Sequence, residues 1–264
     1  RERFPNAIVM GCSTGGEIHR GDIFDDSLSV TGLTFANTNL RSALAPVGVV
    51  EESYDAGRSL GIRLCASDLR AIFILSDGTR VNGSELVRGL RSSAGEHVII
   101  TGGLAGDGPR FGTTYVGLDD MPVPGQVVAI GLYGDSIRVG HGSAGGCDGF
   151  GPQRRITRSK GNILLELDDK PALELYKHYL GDTAKDLPGS ALLFPLRIWP
   201  TDSREESLTR TIVGIDEEKK AMIFAGDVPE GHNAQLMRGN FDRLIEGAAE
   251  AAQQALPRSN GNSA

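Results

Sequence analysis

Two glycine-rich stretches carry the residues best suited to chemistry. Gly11-Cys12-Ser13-Thr14-Gly15-Gly16-Glu17 follows the apolar run of residues 7–10, and Thr101-Gly102-Gly103-Leu104-Ala105-Gly106-Asp107-Gly108 follows that of residues 97–100. Glycine lacks a Cβ and tolerates positive φ, so such loops bring backbone N–H groups close to a bound small molecule. The expected chemistry is recognition of a small polar ligand, with Cys12, Ser13, Thr14 and Gly102 beside it. For an amino acid, amides around Gly15-Gly16 or from Gly103 to Gly106 would hold the carboxylate, and Glu17 or Asp107 would pair with the ammonium group. The structural alternative is that both stretches are tight strand exits; their similarity favours a site.

Other motifs in the sequence fit less well. Gly11-Cys12-Ser13-Thr14-Gly15 matches Gly-x-Ser-x-Gly, the strand-to-helix elbow that exposes a nucleophilic serine. Gly16, Gly21, Asp22, Asp25 and Asp26 make a poor helix interior. A hydrolase using Ser13 also needs a base, for which His141, His178 and His232 are unplaced candidates. Gly140-His141-Gly142-Ser143-Ala144-Gly145 fits the dinucleotide pattern Gly-x-Gly-x-x-Gly, yet residues 146–152 offer no helix to face a pyrophosphate. A third loop on the ligand side is the better expectation there. His141 and Cys147 share that segment, but two soft ligands fall short of a closed zinc site. Neither earlier loop continues into the Gly-Lys-Ser/Thr of a Walker A site.

Composition narrows the class. The 264 residues are 39% hydrophobic and 23% charged, with a mean hydropathy of −0.16, ordinary for a globular protein of one large or two smaller domains. The 36 glycines are nearly double the usual share of about 7% and lie between apolar strands, so they read as turn chemistry. A net charge of −7, with only Arg154-Arg155, Arg158 and Lys160 clustered, argues against nucleic acid as a partner. No apolar run approaches the roughly 18 residues that span a bilayer, and no charged-then-apolar leader opens the sequence. A cytoplasmic location without membrane contact is expected. Cys12, Cys65 and Cys147 are odd in number and widely spaced, which predicts reduced thiols.

Elements positioning the loops follow from periodicity. Alternation predicts strands over residues 29–35 and 45–50, a helix over 54–66 and a buried strand over 71–75. Asn82, with Glu85 three residues on, predicts an N-cap opening a helix that ends near Gly95. Hairpins are expected between 127–132 and 136–139, between 155–158 and 163–167, and between 209–215 and 221–225. Pro171 opens a helix that Gly181 stops, residues 182–189 read as a linker, and Phe241, Leu244, Ile245, Ala248, Ala252 and Leu256 form one helical stripe. The tail from Pro257 is polar and expected to be loose. The fold class is α/β to α+β, with mixed, partly antiparallel sheets flanked by helices.

The chain resembles FIST-domain proteins. Gly11-Cys12-Ser13-Thr14-Gly15-Gly16-Glu17-Ile18, Gly102-Gly103-Leu104-Ala105-Gly106-Asp107-Gly108, Gly161-Asn162-Ile163-Leu164-Leu165-Glu166-Leu167-Asp168, Pro171-Ala172-Leu173 and Val228-Pro229-Glu230-Gly231 carry the likeness, in that order. It implies an N-terminal FIST domain over 1–188 and part of a C-terminal one over 189–264. It also implies a further strand and helix before the first loop, and after the Ala-rich helix a stretch with a Cys-x-x-Arg element and a glycine-aromatic-Glu loop. Such proteins are sensory input modules proposed to bind small ligands such as amino acids. They act alone or with signalling outputs such as kinases and cyclic-dinucleotide enzymes, which implies binding rather than catalysis and a separate signalling partner. Some relatives bind haem and sense nitric oxide; for haem, His141 with Cys147 nearby would be the axial candidates.

Overall fold

The computed structural model describes residues 4–256; the expected loose tail lies outside them. In the first lobe, β1 (Met10–Cys12), the hairpin β2 (Glu17–His19) and β3 (Asp22–Phe24), β4 (Asn39–Pro46), α1 (Ser53–Leu64), β5 (Leu69–Ser76), α2 (Gly83–Ala94), β6 (Ile99–Leu104), β7 (Val116–Leu118) and β8 (Gln126–Tyr133) follow in order. Four of them form a sheet in the order β4-β8-β5-β6, parallel between β5 and β6 and antiparallel elsewhere. β1 pairs with β7 beside it.

Residues 53–64 and 83–94 form helices because Ala56, Leu60 and Leu64, and Leu86, Leu90 and Ala94, recur at helical spacing and are buried. Asn82 caps α2 as expected, accepting the N–H groups of Ser84 and Glu85. The two helices cross closely, since a Cβ on Gly57 would lie 2.2 Å from the Leu86 carbonyl and one on Gly89 2.1 Å from that of Tyr54. With Ile72, Val127 and Tyr133 the helices make the first core, and the Tyr133 hydroxyl donates to the Leu64 carbonyl at 2.6 Å.

The second lobe contains β9 (Cys147–Lys160), β10 (Ile163–Leu167), β11 (Lys170–Pro171), α3 (Ala172–Leu180), β12 (Leu196–Trp199), β13 (Leu208–Arg210), β14 (Ile212–Asp216), β15 (Ala221–Phe224), β16 (Asn233–Gly239) and α4 (Phe241–Ala255). Its eight strands are antiparallel, in the order β13-β12-β16-β9-β10-β15-β14, with β11 on β10. Ile156, Leu164, Leu173, Ile198, Met222 and Phe224 fill the second core. The whole is α+β with mixed sheets. No helix among the described residues is long and apolar enough to cross a membrane.

Several local expectations change. Residues 29–35 form no strand; Val30 and Leu33 are exposed, because alternation supplies two faces but no neighbour to pair with. Residues 136–139 form no hairpin with 127–132, since β8 spends both edges on β4 and β5. The strand placed at 45–50 runs over β4 instead, and Thr209 belongs to β13, which pairs with β12 rather than β15. The 182–189 linker is largely 3-10 turns. Residues 189–236 share a core with 156–180, so no packing boundary falls at 188.

α4 also departs from its stripe. Phe241 and Ile245 are 77% and 71% exposed, and the buried residue of the helix is Gly247. The helix lies on the glycine-rich segment before β9: a Cβ on Gly142 would sit 1.9 Å from the Ala251 carbonyl, and one on Gly146 2.4 Å from Leu244 N and Cα. Gly142→Ala is therefore expected to lift α4 off, with a loss of helical circular dichroism. Gly145→Ala, whose Cβ meets nothing within 4 Å, is expected to leave the signal unchanged.

Candidate ligand site

The two glycine loops meet. Gly106 N–H donates to the Ser13 carbonyl at 3.1 Å, and Ser13 N–H to that of Tyr115 at 2.9 Å. Ser13 Oγ accepts the Tyr115 N–H at 3.0 Å, and a Cβ on Gly106 would lie 3.0 Å from Gly15 N. After Gly15 the chain enters the β2–β3 hairpin rather than a helix, so the strand-to-helix elbow of a serine hydrolase is not formed around Ser13.

These loops are occupied with one another. The Asp107 carboxylate, 7% exposed, accepts the N–H groups of Phe111, Gly112 and Thr113 at 3.0, 2.8 and 3.1 Å. It ties its own loop. Glu17 accepts Thr14 Oγ1 at 2.5 Å and Ser27 Oγ at 2.8 Å; those bonds, Thr14 first, hold its carboxyl pKa below the ordinary value. Gly16 N–H reaches Thr14 Oγ1, and Gly102 and Gly103 are not loop but strand, within β6.

Asp77, at the end of β5, was not singled out by any motif. It is fully buried. Oδ1 accepts from Thr79 N–H and Oγ1, Arg80 N–H and Thr114 Oγ1, and Oδ2 from Gly125 N–H. Burial pushes its pKa up, but the bonds from Gly125, Thr79 and Thr114 outweigh it and the net shift is down.

The third glycine segment packs against α4. His141 is exposed, and Cys147 is the first residue of β9, opposite Gly239. Burial raises the thiol pKa of Cys147, opposed by the charge of Arg197, and raises that of Cys12. All three cysteines are free. Among the described residues, no group of three or more His, Cys, Asp or Glu could hold a metal ion.

Open space lies where the lobes join. A groove of about 870 Å³ runs between α2 and the strand β13 with the turn that follows β15, with Ser84, Val87, Arg88 and Arg91 on one wall and Arg210, Thr211 and Gly226 on the other. The lobes are stitched along it: Gly83 N–H donates to the Ala225 carbonyl at 2.9 Å, Asn82 Nδ2 to Asp227 Oδ1 at 2.6 Å, and Asp227 N–H to Ser84 Oγ at 3.1 Å. Arg210 is half-buried; Nε donates to the Asp227 carbonyl at 2.8 Å and Nη2 reaches Ser84 Oγ at 3.5 Å. Burial lowers its pKa, with the charge of Asp227 opposing. Arg88 pairs with Glu85 and stacks over Tyr54, 4.4 Å to the ring centroid; Arg91 holds Glu96 loosely at 3.7 Å.

Two family models match along the chain. The FIST N domain model matches residues 1–170 and the FIST C domain model residues 172–263. The chain belongs to the FIST family. No curated protein and no solved structure matches it. FIST domains are sensory, signal-transduction domains. In this FIST chain the border between the matched segments, at the start of α3, cuts through the second core: β9 and β10 come from the FIST N segment, and their sheet partners β16 and β15 from the FIST C segment. The groove likewise takes one wall from each segment.

Proposed function

We propose that this FIST chain is a non-enzymatic sensory module of the cytoplasm that takes a small polar ligand in the groove between the lobes. It would pass its state to a separate signalling protein, such as a kinase or cyclic-dinucleotide enzyme. The observation that carries the reading is that one groove is lined from both lobes, which are held there by a few hydrogen bonds around Asn82, Ser84 and Asp227. A ligand touching both walls has different affinity for closed and parted lobes, which is the requirement for a ligand to shift a conformational equilibrium. The volume falls in the range of small-molecule sites, about 300–1,000 Å³. The strand-end loops, bonded to each other, serve as the frame that holds β5 and β6.

A thermal-shift panel of amino acids, nucleotides, organic acids, sugars and haem tests this. A ligand at 100 times its Kd is expected to add about 2.7 kcal/mol, roughly 5–11 °C. Val87→Trp, which fills the groove from the α2 wall, is expected to abolish the shift, while Ser13→Ala keeps it. The reverse pattern would move the site to the strand-end loops, and no shift with any compound would overturn the reading.

A further inference from the structure

Resting on the groove as the ligand site, we propose that it recognises an anion: a small organic molecule held by its carboxylate or phosphate on the Arg210 guanidinium. Three guanidinium groups line the groove, those of Arg88, Arg91 and Arg210, against the single carboxylate of Glu96. Arg88 is engaged by Glu85 and by the Tyr54 ring. Arg210 is different. Its bonds go to a neutral carbonyl and a hydroxyl, while Asp227 turns its Oδ1 to Asn82 and acts on Arg210 only through charge at longer range.

A half-buried guanidinium whose hydrogen bonds leave donors over is completed by an oxyanion, whose two oxygens match the planar fork. The surroundings fit. A Cβ on Gly226 would lie 2.6 Å from Ser84 Oγ and 3.6 Å from Arg210 Cζ, so this bare position lets hydroxyl and guanidinium converge. Arg91, loosely paired with Glu96, can turn to a second anionic oxygen, and Val87 and Leu208 offer an apolar wall to the body of the molecule. The ligand would thus bridge Arg210 of the second lobe and Arg91 of the first.

The experiment measures melting of the whole chain at constant ionic strength with inorganic phosphate, glucose 6-phosphate, succinate, glucose and ethanolamine, sodium chloride being the balance. Stabilisation by the phosphate or the carboxylate compounds, and not by glucose or ethanolamine, is expected, and the two arms tell a phosphate ester from an organic acid. Arg210→Gln is expected to lose the shift. Arg210→Lys keeps the charge but not the fork and should recover part of it. Should Arg210→Gln fail to fold, Val87→Trp, which leaves Arg210 in place, must still block the shift. If a neutral or cationic compound stabilises the chain and Val87→Trp blocks it, the groove reading stands and the anion assignment falls. If anions stabilise but neither variant changes the effect, both fall; no shift with any of the three anions overturns the assignment.

Discussion

Gly102→Ala is expected to destroy the first lobe, while Gly103→Ala, one residue on, is expected to leave it standing. Gly102 lies in β6 opposite Ile74 of β5, at φ +143°, and a Cβ there would sit 1.9 Å from the Ile74 carbonyl oxygen and 2.8 Å from its carbon. The obstacle is backbone, so only separation of the parallel pair relieves it. Both the ladder and the strained φ argue for a loss of about 4 kcal/mol or more, at the severe end for a point mutation. At Gly103 a Cβ meets nothing within 4 Å, and alanine there changes stability by about 0.5 kcal/mol or less, as for an ordinary surface site. Urea unfolding followed by circular dichroism separates the two. Equal destabilisation would refute the close approach of β5 and β6.

Asp77→Asn is expected to cost about 3 kcal/mol, lowering Tm by roughly 6–12 °C in a chain of this size. The carboxylate accepts five hydrogen bonds, and an amide must turn its NH₂ on some of the same donors; with Nδ2 in place of Oδ2, it would face the Gly125 N–H. A pH signature accompanies the change. The carboxyl pKa is depressed in the folded chain, so the group adds stability that is fully present above its unfolded value, about 3.9, and is lost as pH falls through the lower folded value. Melting between pH 6 and pH 2 should show the wild type losing stability below about pH 4 more steeply than Asp77→Asn. Parallel curves would show that Asp77 is not held ionised by its cage.

The parts legible in the sequence are those whose causes are local. Asn82 caps α2 because its side chain reaches N–H groups two and three residues away, and β9 and β10 close through Gly161, at φ +56°. The apolar run of β5, which exposes Phe73, and the helical spacing of α1 and α3 are likewise set within a dozen residues. Periodicity misled where the partner decides. Residues 29–35 alternate yet pair with nothing in the sheets, and most of the apolar stripe of α4 faces solvent, because Gly142 and Gly146 let the chain pack closely on the neighbouring face of Leu244, Gly247 and Ala251 instead.

The sequence by itself determined the family, the two glycine-rich strand ends and most of the helices, since glycine placement, capping and hydrophobic spacing act over short distances. Only the tertiary structure decided what those glycines do. Gly102 and Gly106 admit neighbouring backbone, and the buried carboxylates of Asp107 and Asp77 are spent on backbone amides of their own lobe. The groove was equally hidden: Ser84 and Arg91, on α2, lie far from Arg210 in the chain and face it across the groove only because the second lobe docks on the start of α2. A charged side chain gives no periodic signal of the cavity it borders, so its meaning arises from packing between distant segments.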